Sequence, residues 1–188
     1  MNKNRRFLCA CILMISICVM LVSCNSTDKV DDFRKKLEEA NSFEMVMTMD
    51  IPVFGKVTMI SKVDGNKTWT NAVMGSPETY TEIKGEKVDV YTKTDTGWEK
   101  STKDNDDKEN SSFALLDGSN YEYSKSEKAY VLKDGTSLDY DGIVFTTAKL
   151  TLEKNSGKIE GTAVSEGMTL NITIEFKNIG STKVDLPM

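Results

Sequence analysis

Hydrophobic and polar positions change their spacing twice along the chain. From Phe7 to Val22 there is no alternation at all: FLCACILMISICVMLV is apolar apart from Ser16. From Asp28 to Ala40, Val30, Phe33, Leu37 and Ala40 recur at a spacing that puts them on one face of an α-helix. Ser26, Thr27 or Asp28 can cap that helix, and Asp31 and Asp32 suit its positive end. After Asn41 the period becomes two. Phe43, Met45, Met47, Met49 and Ile51 alternate with Glu44, Val46, Thr48 and Asp50, which predicts a half-buried strand with a thioether-rich inner face.

The same period predicts a meander. Pro52 to Gly55 turns the chain, Lys56 to Val63 returns, and Asp64-Gly65-Asn66 signals a hairpin into a strand over Lys67 to Met74. Strands are expected at Thr79 to Lys84, Lys87 to Thr94 and Trp98 to Ser101, with turns at Lys84-Gly85-Glu86 and Asp95-Thr96-Gly97. Thr102 to Ser112 holds no apolar residue and reads as an exposed loop or a helix start, followed by a short helix over Ser112 to Leu116. Ala129 to Leu132 reads as a strand, and Ser137 to Tyr140 is ambiguous. The last third returns to long strands at Ile143 to Lys154, Lys158 to Ser165 and Met168 to Lys177. Together these predict one mostly antiparallel sheet with a few helices, an α+β domain.

The amino end changes the picture. Lys3, Arg5 and Arg6 precede the apolar run without an acid between them, as in a secretory signal, and the run is shorter than the ~20 residues of a permanent membrane span. Leu21-Val22-Ser23-Cys24 resembles the lipobox of bacterial lipoproteins. That resemblance implies cleavage after Ser23, a diacylglycerol thioether on Cys24 and often a further acyl group such as palmitate on the new amino end. The chain then divides into a signal peptide (1–23), a lipidated tether (24–27) and a single domain (28–188), placed on the outer face of a cell membrane. Two acyl chains anchor stably without help from the polypeptide. The tether spans at most roughly 14 Å, which keeps the folded body near the membrane surface.

Charge and residue usage narrow the function classes. Removing residues 1–23 takes away three basic residues and no acid, leaving 21 Lys and Arg against 29 Asp and Glu, a net charge of −8. Such a surface repels polyanions, so nucleic acid is not an expected partner. All four cysteines lie within the first 24 residues, so the domain forms no internal disulfide and is held by its core. With no histidine anywhere, the commonest general base and most zinc sites are absent. Asp104, Asp106, Asp107 and Glu109 fail the calcium-loop pattern, because its fifth and sixth positions hold Lys108 and Glu109. Asp134, Asp139 and Asp141 lie in a Gly-containing loop, where weak chelation and turn chemistry explain them equally well. No nucleophile elbow, phosphate loop or dinucleotide fingerprint is present. A monomer without catalytic activity, cofactor or metal is expected.

The order of pieces carries a second resemblance. A lipobox, one amphipathic helix running into Ser42-Phe43, a long meander, an interruption, and three strands from Leu152-Glu153-Lys154 and Gly157 to Val184-Asp185-Leu186-Pro187 resemble the LolA/LppX-like (LprG-like) superfamily of lipoprotein carriers and lipid-binding lipoproteins. The resemblance covers nearly the whole mature chain and is architectural, with weak motifs. It implies an incomplete β-barrel, a curved antiparallel sheet with helices packed on its concave face, and a half-barrel cavity that holds a lipid or lipidated molecule. It brings no catalytic residues.

Candidate lining residues for such a cavity are Phe43, Met45, Met47, Met49, Met59 and Trp69, with Trp69 and Tyr80 placed to line a mouth from neighbouring strands. Methionine suits irregular apolar ligands, and it equally suits an ordinary core. Two other classes stay open: a surface adaptor that binds another envelope protein and has no ligand cavity, and a hydrolase that uses converging carboxylates.

Overall fold

The computed structural model describes residues 28–52, 54–105 and 113–187. Helix α1 spans Asp28–Ala40, as its apolar spacing predicts, with Val30, Phe33 and Leu37 buried. It stops where the backbone at Asn41 takes a positive φ of 46°, and Asn41 N–H closes the last turn on Leu37 O at 3.0 Å. Among the described residues twelve strands follow. They are β1 (Ser42–Ile51), β2 (Gly55–Asp64), β3 (Lys67–Thr70), β4 (Thr79–Lys84), β5 (Lys87–Thr94), β6 (Gly97–Asp104), β7 (Tyr121–Ser124), β8 (Ala129–Leu132), β9 (Leu138–Tyr140), β10 (Ile143–Leu152), β11 (Gly157–Ser165) and β12 (Met168–Lys177). Two single-turn 3-10 helices, Ala114–Leu116 and Gly118–Asn120, precede β7.

All strands join one open sheet in the order β6-β5-β4-β3-β2-β1-β12-β11-β10-β8-β7, with β9 paired to β10. Every pairing is antiparallel. The closing link is β1 with β12, which sets the first strand beside the last and puts Met45, Met47 and Met49 opposite Phe176, Ile174 and Ile172. This face continues through Ile159 and Ala163 of β11 to Leu150, Ala148 and Phe145 of β10. A bulge between Phe145 and Thr147 keeps Phe145 on that face.

Helix α1 packs on the same face. The Phe33 ring meets Phe176 edge-on at 6.1 Å, and Phe43 stacks tilted on both Phe176 and Phe113. The two 3-10 turns lie beside α1, where Asp31 Oδ1 accepts the Gly118 N–H at 3.1 Å. Leu115, Leu116 and Tyr121 are fully buried there, and the Tyr121 hydroxyl donates to Leu115 O at 2.8 Å. The carboxyl tail crosses the sheet end: Ser42 donates to Thr182 O at 2.7 Å and Asp64 Oδ2 accepts the Val184 N–H at 3.2 Å.

Several boundaries differ from the sequence reading, each for a local reason. β3 ends at Thr70 rather than Met74, because the Asn71 side chain takes over: its Oδ1 accepts the Ile60 N–H at 2.6 Å, while Met74 and Gly75 turn with positive φ. β6 runs past Ser101 to Asp104 although Thr102 to Asp104 are wholly polar. Thr102 Oγ1 donates to Asp89 at 2.6 Å, and Lys87 pairs with Asp104 across the strands. Tyr121–Ser124 forms a strand that periodicity does not reveal, and the helix expected over Ser112 to Leu116 shrinks to one 3-10 turn among the described residues. Leu138–Tyr140, ambiguous in sequence, is a short strand on β10.

Candidate functional site

Five of the six proposed lining residues share one face. Met59 stands opposite Met47 and Val57 opposite Met49 across the β1–β2 ladder, so β2 extends the methionine stripe of β1. The stripe is unevenly covered: Ile51, the next residue of this face beyond Met49, is buried at 8% exposed. Phe43, Met45 and Met47 are 3%, 4% and 1% exposed beneath α1 and the 3-10 turns, whereas Met49, Val57 and Met59 are only partly buried.

At the end of the sheet formed by the β1–β2 and β11–β12 turns the cover is mixed, with Ile51, Leu170 and Phe145 still buried. There the partly buried Ile143 and Tyr140 pair across β9 and β10. Three large apolar side chains at this end are open to solvent, Phe54 at 70%, Met168 at 44% and, on the opposite face, Val164 at 36%. Met168 belongs to the same face as Leu170 and Ile172, so the exposed rim continues the buried stripe. Sequence reasoning did not single out Phe54. The available signal is an aromatic residue inside the Pro52 to Gly55 turn, where burial is not expected.

Trp69 does not join the other five. The hairpin through Gly65 and Asn66 pairs Asp64 with Lys67, which sets Trp69 opposite Lys62 and Thr68 opposite Val63. Val63 is the partner of Phe43, so Trp69 lies on the other side of the sheet. A period of two makes this strict: one residue of offset changes the face. Trp69 instead donates its indole N–H to Glu78 at 2.7 Å and carries Lys62 over its ring at 5.0 Å. Tyr80 is its cross-strand neighbour and packs edge-on against Trp98 at 5.1 Å. Burial raises the Tyr80 phenol above its ordinary pKa, with Glu78 and Asp185 adding to the effect.

That other side is polar and carries the strongest electrostatics. The buried Asp89 carboxylate accepts from Thr102 at 2.6 Å and pairs with Lys100 at 2.9 Å and Lys84 at 3.0 Å. These contacts, the Thr102 hydroxyl first, hold its pKa far below the usual carboxylate range. A wide recess of about 700 Å3 also opens there, lined by Thr48, Thr162, Asn171 and Thr173 together with Glu127, Lys149 and Glu160. None of Met45, Met47, Met49 and Met59 lines it.

No family model matches this chain, and no curated protein does.

Cys24 and the rest of residues 1–27 lie outside the described residues, as do Asp106, Asp107 and Glu109. Asp139 turns on itself, accepting the Gly142 N–H at 3.0 Å. Among the described residues no three acidic or thiol side chains gather closely enough to hold a metal ion, and no helix is long and apolar enough to cross a membrane.

Proposed function

We propose that the mature chain is a lipoprotein anchored through Cys24 to the outer face of the membrane, where it holds a lipid or another acyl-bearing molecule without catalysing a reaction. In this reading the sheet is an incomplete barrel, and α1 with the two 3-10 turns covers its concave face. The supporting observation is the incomplete cover of the methionine stripe near one rim. Met49 and Met59 are only partly buried although Met47 and Ile51 beside them are covered, and Phe54 and Met168 stand exposed at the rim next to buried Leu170. An acyl chain entering at that rim would exchange water-exposed apolar surface for contact, at roughly 25 cal/mol per Å2 buried. Flexible thioethers can repack around it without a fixed ligand shape.

The near-complete burial of Phe43, Met45 and Met47 favours a second reading, a surface adaptor whose core is filled. Native mass spectrometry of the soluble chain, residues 25–188, purified gently from a bacterial host, separates the two. Co-purifying phospholipid or fatty-acid mass is expected, and it should be lost in Met168→Glu and Phe54→Glu, exposed positions where the fold tolerates charge. A clean apo mass, unchanged after incubation with a lipid extract, would sink the acyl-holding reading and leave the adaptor.

A further inference from the structure

We infer that β6 is a self-association edge, on which a second copy of this chain adds its own β6 in antiparallel register about a two-fold axis through Ser101. The inference needs no acyl ligand but rests on the proposed anchor at Cys24, which supplies the crowding. β6 is the last strand on its side of the sheet and pairs with β5 along its whole length, from Gly97 to Asp104. Among the described residues no strand pairs with its other edge, and Glu99 to Asp104 are all exposed. The opposite end of the sheet offers only the four residues of β7.

The free backbone groups have a fixed phase. The Asp95-Thr96 turn closes on the Thr94–Gly97 pair, and Asn105 N–H bonds Glu86 O at 2.8 Å at the far end. Between these limits Gly97, Glu99, Ser101 and Lys103 exchange hydrogen bonds with β5, whereas Trp98, Lys100, Thr102 and Asp104 turn their N–H and C=O outward. Lys93, opposite Trp98, correspondingly sends its N–H away from β6 to Glu78 O at 2.9 Å.

A two-fold axis at Ser101 matches outward groups to outward groups: Lys100 meets Thr102 of the second copy, and Trp98 meets Asp104. On the other face Glu99 meets Lys103 twice, and Ser101 meets its own counterpart. Among the described residues neither the Glu99 nor the Lys103 side chain has a hydrogen bond or ion pair of its own. Moving the axis to Lys100 sets that lysine against itself, and moving it to Thr102 shortens the overlap. Parallel pairing in register aligns every like charge. Edge lysines ordinarily discourage pairing, but here alternating signs make one self-register complementary. With about eight residues a side, against the 20–30 of a stable interface, the pair is weak in dilute solution and depends on crowding at a surface.

Disulfide trapping in membranes of cells expressing the full chain tests this. In the proposed register the two Ser101 Cα atoms stand about 4.5 Å apart, within reach of a disulfide. Ser101→Cys, oxidised with copper phenanthroline, should give a covalent dimer far above both the unsubstituted chain, which controls for Cys24, and Thr96→Cys in the exposed turn. In the Ser101→Cys background, Glu99→Lys or Lys103→Glu should lower that yield about tenfold, because two attractive pairs become repulsive. The two together should restore it. Three results would each overturn the inference: no cross-link from Ser101→Cys although the chain fractionates with the membrane and its new thiol reacts with maleimide, equal yield from Thr96→Cys, or no rescue by the double reversal. A chain that stays out of the membrane fraction would instead overturn the anchor.

Discussion

The Phe33 ring occupies the space into which a side chain at Gly157 would grow. A Cβ built on Gly157 would stand 2.6 Å from both Cε1 and Cζ of that ring, closer than any real contact allows. The absence of a side chain on β11 thus sets how closely α1 sits on the sheet, and through the Phe33–Phe176 contact it fixes where the helix crosses β12. Gly157→Ala should therefore cost about 1–3 kcal/mol of stability. Truncating the ring in Phe33→Leu should recover part of that loss in the double variant, measured by urea unfolding; simple additivity would show that the two residues are not coupled.

Gly161 should be the more severe site. A Cβ there would lie 2.2 Å from the Thr147 backbone oxygen at the β10 bulge, and a backbone atom cannot swing aside as a ring can. Gly161→Ala should lower the melting temperature more than Gly157→Ala, and the reverse order would show that the bulge is adaptable.

Met47 is 1% exposed and sits between Met59 and Ile174 in the two neighbouring strands. Met47→Ala should cost about 2–5 kcal/mol, while Met47→Leu should cost little. Equal, small losses from both would mean that the space around Met47 is not closely packed, which would itself favour an acyl ligand in this region.

Acid stability should depend on Asp89. Its folded pKa lies below the ordinary carboxyl value of 3.8, so the ion cluster contributes fully above that value. The contribution is lost progressively as pH falls below 3.8 toward the depressed folded value. Asp89→Asn should lower the melting temperature at neutral pH and flatten its dependence on pH in the acid range. Thermal melts from about pH 7 to about pH 2 would reveal this, and parallel profiles for the two chains would refute it.

Trp69 offers a negative control for the acyl-holding reading. Because it lies across the sheet from the methionine stripe, Trp69→Phe should leave any captured lipid mass unchanged in native mass spectrometry. Loss of lipid from this variant alone would place the ligand on the polar face instead.

Much of this architecture is legible in the residues themselves. The limits of α1, the alternation of β1 and β12, and the hairpin turns at Gly65, Gly85 and Gly167 follow from local spacing and backbone preference. These are short-range effects that neighbours in the chain decide. Tyr121–Ser124 is different, because its four residues alternate too briefly to announce a strand and become one only by pairing with β8. The extension of β6 is likewise decided across strands, by Asp89 and Lys87 reaching Thr102 and Asp104.

The candidate site divides along the same line. Periodicity alone placed Phe43, Met45, Met47 and Met49 on one face, since residues two apart on a strand share a side. It could not relate that face to Trp69, because the relation runs through the register of two hairpins. Nor could it show where the stripe is covered and where it opens. That depends on α1 and the 3-10 turns, which meet the sheet through Phe33, Phe113 and Leu115, far from β1 in sequence or on the other side of a turn. Sequence by itself determined which residues seek burial; only the tertiary structure decided which of them obtain it, because cover is supplied by segments that chain-local preferences do not position.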